Sequence, residues 1–210
     1  MEGLSFSATL RSKNSKLSAL DKEMGVGEGT RKQPIYKLTL NSMVMDDTYT
    51  KLIEFLNEHK AHYRLIDHPP EGRTEIVSPM RGNKVSQAAK CIVIMVKIGK
   101  KVTKHILGVV PGDAKIDLNA VKELFNGTYV SFATPEIAEN MAGSVAGTIL
   151  PFSFNPELEL IVDPSLLKNE EIYFNAARLD RSMALKTSDY VTLTKPRLEH
   201  IAKNSEPTPK

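Results

Sequence analysis

Two stretches of the chain carry residue types suited to chemistry. Lys90 follows two alanines and precedes the apolar run Cys91 to Val96. An ammonium there starts near the end of a strand, beside apolar neighbours. It can snorkel to solvent, face a pocket to bind phosphate or polarise a carbonyl, or serve as a Schiff-base amine. The second stretch, Gly143 to Phe154, holds Gly143, Gly147, a short apolar run, and Pro151 followed by Phe152 and Phe154. Glycine lets backbone amides approach a ligand closely, and proline fixes the exit of a loop. Such a stretch is either a buried turn between core elements or the backbone-lined wall of a pocket.

Other chemistries lack their motifs. The sequence has no Gly-Lys-Ser/Thr phosphate loop, no Gly-x-Gly-x-x-Gly and no Gly-x-Ser-x-Gly elbow. His59 and His62 bracket a helix end and are read as solvated rather than as a metal pair. Cys91 is the only cysteine, which excludes an intrachain disulfide and a cysteine-based zinc site. A reducing, intracellular compartment is expected. The 210 residues are 41% hydrophobic, enough for one domain with tails or two small ones. No long uncharged apolar run is present, so no membrane span is expected. The net charge of +3 permits a nucleic-acid partner without requiring one.

The elements that must position these residues read as follows. Residues 1–45 are a Ser-, Lys- and Gly-rich extension, with one alternating segment at Ile35 to Leu40 that suits a short strand. Asp46 or Asp47 caps a helix to about Lys60, with Tyr49, Leu52, Ile53 and Leu56 on one face. Tyr63 to Ile66 is a strand and Asp67 to Gly72 a turn. Thr74 to Gly82 holds a helical turn limited by Pro79. Cys91 to Val96 and His105 to Val110 form a hairpin. Asp117 caps a helix that ends at Asn126 and Gly127, and Thr134 with Pro135 starts another. Tyr129 to Ala133, Leu158 to Val162, Ile172 to Phe174 and Ser182 to Leu185 are strands. Pro164 opens a short helix, and Thr187 to Asp189 caps a short turn or helix. A last helix spans Pro196 to Ala202, within a tail of residues 196–210 that ends like a linker. The fold class is α+β, a mixed central sheet with surrounding helices, centred on residues 46–195.

Gln87 to Lys90 ahead of an apolar strand, then Gly147 to Pro151, then Phe174 to Asp180, occur in this order and at suitable spacings. Together they resemble the YbaK/prolyl-tRNA synthetase-associated domain family of aminoacyl-tRNA deacylases. The similarity covers about Asp46 to Val191. Phe152 to Pro156 and Leu185 to Tyr190 are similar to its YeaK-like branch.

The resemblance implies a site. Lys90 matches the family's essential lysine, and Gly147 and Pro151 match its Gly-x-x-x-Pro loop, whose amides face the substrate. With Thr148 and Ile149 in that loop, His68, Asn175 and Asp180 fall at positions lining or supporting the same cleft. Thr148 and Ser153 stand where many members have glycine, and Ala177 replaces a frequent glycine. Bulkier side chains there are expected to narrow or reshape the amino-acid pocket. The implied reaction is proofreading hydrolysis of a small aminoacyl ester (Ala, Ser or Thr) on tRNA, without metal or cofactor, in the cytoplasm. The substrate's own ribose hydroxyl is thought to assist. The chain would act alone or as the editing domain or partner of a prolyl-tRNA synthetase. The alternative is a non-catalytic tRNA-binding or assembly module with the same fold.

Overall fold

The computed structural model describes residues 48–204. The N-terminal extension, the candidate strand at Ile35 to Leu40, the cap at Asp46 or Asp47 and the final residues 205–210 lie outside them. Helix α1 occupies residues 48–58. Its Leu52 and Leu56, one turn apart, are both fully buried. Each contributes about 1.5–3 kcal/mol relative to exposure. Strand β1 is Tyr63–Asp67. Helix α2, Thr74–Arg81, continues past Pro79 and stops at Gly82, whose left-handed conformation returns its amide to Ser78 and Pro79.

A single 3-10 turn, Val85–Gln87, leads into β2, Ala89–Ile98, which forms a hairpin with β3, Val102–Pro111. Strand β4 is Ala114–Ile116, too short for periodicity to reveal it. Helix α3, Leu118–Leu124, is capped by Asp117, whose carboxylate accepts the amides of Asn119 and Ala120. Strand β5 is Tyr129–Phe132, and α4 is Pro135–Ala142 with Thr134 as its cap. Strand β6, Leu158–Val162, precedes a 3-10 turn at Leu166–Lys168, then β7, Glu171–Asn175, and β8, Arg181–Lys186. Helix α5 is Thr187–Thr194.

Pro196 to Ala202 is not the helix its composition suggests. Arg197–Leu198 is β9 and Ala202–Asn204 is β10. The cause is tertiary. Strand β9 pairs in parallel with β6, and the Asp163 carboxylate accepts the amides of Ile201 and Ala202 at 2.9 and 2.8 Å. Ile201 itself is 1% exposed, so burial favours the extended path.

The central sheet is mixed, in the order β5-β2-β3-β6-β9. Strands β1, β8 and β7 make an antiparallel sheet in that order, and β4 pairs with β10. Two apolar clusters cover the faces of the central sheet. Ala89 and Val93 pack with Leu52, Leu56, Phe152, Phe174 and Tyr190, while Ile94 and Val96 pack with Val121, Ile116 and Ile201. Strand alternation explains the division. The observed class is thus α+β with a mixed central sheet, as expected. Among the described residues, no helix is long and apolar enough to cross a membrane.

Candidate functional site

Asn175 ends β7, directly opposite Ser182 of β8. It is 6% exposed, so its amide group must find partners inside the protein. Its Nδ2 donates to the Glu71 carbonyl at 2.8 Å and to the Gly147 carbonyl at 2.9 Å. Its Oδ1 accepts the Ser182 hydroxyl at 2.8 Å. His68 Nε2 lies 2.7 Å from that same hydroxyl. A single amide side chain therefore joins the turn after β1 to the loop after α4.

That loop is fixed at several points. Gly143 closes α4 in the left-handed region. The Glu139 carboxylate accepts the Ala146 amide at 3.3 Å. Tyr190, fully buried, donates its hydroxyl to the Pro151 carbonyl at 2.8 Å. The Phe152 ring meets Tyr190 edge-on at 5.4 Å. Gly147 has φ of +86°, a conformation natural to glycine. The Gly147 and Ile149 amides have no acceptor among the described residues.

A cavity of about 110 Å³ lies between these parts, bordered by Gly72, Gly147, Ile149, Asn175, Arg81 and Lys90. Lys90 is the second residue of β2, not the residue before the strand. Pairing with Val110 extends β2 backwards over Ala89 and Lys90. The Lys90 ammonium donates to the Ala114 carbonyl at 2.9 Å and stands 3.8 Å from a Glu75 carboxylate oxygen. Lys90 also borders a second cavity, of about 400 Å³, with Lys115, Phe132 and Lys203.

Lys90, Gly147, Ile149 and Asn175 thus surround one space, with His68 behind Asn175. The structure places the other three named residues around that space rather than in its lining. Thr148 is fully buried and turns away: its hydroxyl and amide both donate to the Val145 carbonyl. Pro151 does not border the small cavity; its carbonyl anchors the loop to Tyr190. The Asp180 carboxylate pairs with the Arg178 guanidinium at 2.9 Å, which holds it below the usual carboxylate range, and only its backbone carbonyl reaches His68. Thr148, Ser153 and Ala177 do not border the small cavity, so any influence on its shape passes through the loop backbone. Ser153 donates to the Asn155 and Leu158 carbonyls, and Ala177 adopts a φ of +55° within the core. That conformation favours glycine.

Arg81 escaped sequence reasoning. A basic residue in the last turn of a helix is commonplace, so nothing flagged it. Here it is 8% exposed and borders the small cavity. Its guanidinium rests on neutral oxygens: Asn83 Oδ1 at 3.1 Å, Ser78 Oγ at 3.3 Å and Ser182 Oγ at 3.4 Å. Burial pushes its pKa down to about 10. Cys91 also borders the cavity, but burial drives its thiol well above its ordinary value. It is no thiolate nucleophile at neutral pH.

The arrangement offers backbone amides free to donate, two cations and a buried polar network around a small space. It suits a polar carbonyl compound held by its oxygen, with no protein nucleophile. Known proteins share the architecture. Two solved structures cover about three quarters of the chain. One is the hypothetical protein APE2540, with a TM-score of 0.66, 20% identity, and 73% of this chain and 99% of that one covered. The other is described as a candidate trans-editing enzyme for prolyl tRNA synthetase, with a TM-score of 0.62, 21% identity, and coverage of 75% and 98%. Curated relatives from Escherichia coli K12 and O157:H7, both named multifunctional Ser/Thr-tRNA deacylase ProXp-y, are 37% identical over 159 residues. That match spans 75% of this chain and 95% of each relative. Residues 68–193 match the aminoacyl-tRNA editing domain, and the chain belongs to that family.

Proposed function

We propose that this chain hydrolyses the ester of mischarged aminoacyl-tRNA, with Ser and Thr as the preferred amino acids. The observation that carries this reading is the small cavity walled by the Gly147 loop and Asn175, with Lys90 and Arg81 at its border. A space of about 110 Å³ suits a small polar side chain and excludes large ones. The naming of the curated relatives as Ser/Thr-tRNA deacylases favours those two over alanine.

The ester is already activated, and the reaction needs chiefly position and charge stabilisation. Water attacks the carbonyl carbon, the acyl–oxygen bond to the ribose breaks, and the water's proton passes to the ribose oxygen. The vicinal ribose hydroxyl assists this transfer. The Gly147 amide receives the developing oxyanion. Lys90 holds the ester end or the adjacent phosphate. Asn175 aims the loop through its grip on the Gly147 carbonyl, and His68 and Ser182 hold Asn175 in turn. Action on tRNA charged by a prolyl-tRNA synthetase, alone or in association with it, and a cytoplasmic location belong to the same proposal.

A panel of tRNAs carrying Ala, Ser, Thr and Cys tests it. Release of Ser and Thr ahead of the others is expected. A protein that binds these tRNAs and releases none would be a binding module instead.

A further inference from the structure

Lys115 of β4 and Lys203 of β10 are direct cross-strand partners. Both are exposed, and both line the cavity of about 400 Å³ that Lys90 also borders. Like charges directly opposite one another destabilise an antiparallel pair. This ladder is only three residue pairs long, so it has few other pairs to absorb the repulsion. The ladder cannot simply drift apart, because Asp163 holds the amides of Ile201 and Ala202 at its start. The carboxylate bordering the cavity, Asp117, is committed to the amides of Asn119 and Ala120. Phe132, on the adjoining wall, is 51% exposed. Exposed ammonium groups beside an open aromatic ring match the chemistry of single-stranded nucleic acid: cations follow the phosphates and the ring stacks on a base.

We propose that this cavity receives the unpaired 3′ end of the tRNA, with a phosphodiester between Lys115 and Lys203 and a base against Phe132. The inference rests on the deacylase reading above. A phosphate between the two lysines turns their repulsion into a shared attraction. Lys90 borders both cavities, so the esterified terminus enters the small one while the preceding nucleotides occupy the larger.

The test is fluorescence anisotropy with a labelled single-stranded RNA ending in CCA, titrated over a salt series. Lys203→Glu sets opposite charges across the ladder. It should weaken RNA binding about tenfold and flatten the dependence of log affinity on log salt by about 0.7 for each phosphate no longer neutralised. Its melting temperature should rise, because the repulsion is gone. With charged tRNA, KM should rise about tenfold while kcat stays within about twofold. Affinity and salt slope equal to wild type would overturn the proposal. Should that variant fail to fold, Lys115→Gln combined with Lys203→Gln gives the same readings. RNA binding that depends on these lysines, in a protein that hydrolyses no ester, would support this site and sink the deacylase reading alone.

Discussion

Gly72 and Gly147, from loops 75 positions apart, are packed backbone to backbone. A Cβ added to Gly147 would stand 2.9 Å from the Gly72 Cα, closer than real side chains come. The turn after β1 and the loop after α4 thereby share one wall of the small cavity. Gly147→Ala must both abandon a φ of +86° and push against backbone. A loss of about 1–3 kcal/mol is expected in chemical denaturation. Deacylation should fall by about 10²–10³-fold, since the amide loses its aim. Single-turnover kinetics would show whether chemistry is the step that suffers.

Asn175→Asp is isosteric but reverses the polarity at Nδ2. A carboxylate would then face the Glu71 and Gly147 carbonyls, which now accept at 2.8 and 2.9 Å. Leaving buried groups without partners costs about 1–3 kcal/mol. The melting temperature should drop, and kcat should fall more than KM rises. Equal stability and kcat in this variant would remove Asn175 from its positioning role.

Lys90→Ala removes a cation that is 23% exposed in its side chain and hydrogen-bonded to the Ala114 carbonyl. The strand carries the fold here, so circular dichroism should be unchanged. Ester release should drop by about 10²-fold or more. Lys90→Arg keeps charge but not shape, and only partial rescue is expected. Wild-type turnover in Lys90→Ala would refute the site.

Arg81→Met separates folding from function. Methionine relieves the burial of a charge but leaves Asn83 Oδ1 without its donor, so the two effects oppose and stability should change by no more than about 1–3 kcal/mol. Deacylation should decline about tenfold or more, because Arg81 borders the small cavity, and wild-type turnover would remove it from the site. Thermal melting and deacylation rates measured on the same preparation give both answers.

Asp163 supplies an acid-dependent part of stability. Burial raises its pKa, but hydrogen bonds from the Ser165 hydroxyl and amide and from the Ala202 and Ile201 amides outweigh that and hold it below its ordinary value. A depressed carboxylate stabilises the fold fully above the unfolded pKa, and that contribution is lost as pH falls through the folded one. Asp163→Asn should therefore cost about 2–4 kcal/mol near neutral pH and flatten the decline in stability below about pH 4. Urea denaturation from pH 3 to 7 would check both slopes.

The hairpin of β2 and β3, the caps at Asp117 and Thr134, and the Gly147 to Pro151 loop were legible in the sequence. Each depends on neighbours close in the chain: apolar runs, a side chain reaching an amide two or three residues on, or a glycine needed for one backbone angle. Lys90 stood out for the same local reason. What the tertiary structure decided rests on partners far away. Pro196 to Ala202 has the composition of a helix, yet pairing with β6 and capture by Asp163 draw it into strands. Thr148 reads as a pocket residue until Val145 accepts its hydroxyl. Arg81 gains meaning only when burial brings it to Ser182, 101 positions on, and Lys115 only when Lys203 is set opposite. Local sequence dictates short-range geometry because its energies are short-range, whereas burial and cross-strand charge belong to the folded chain as a whole.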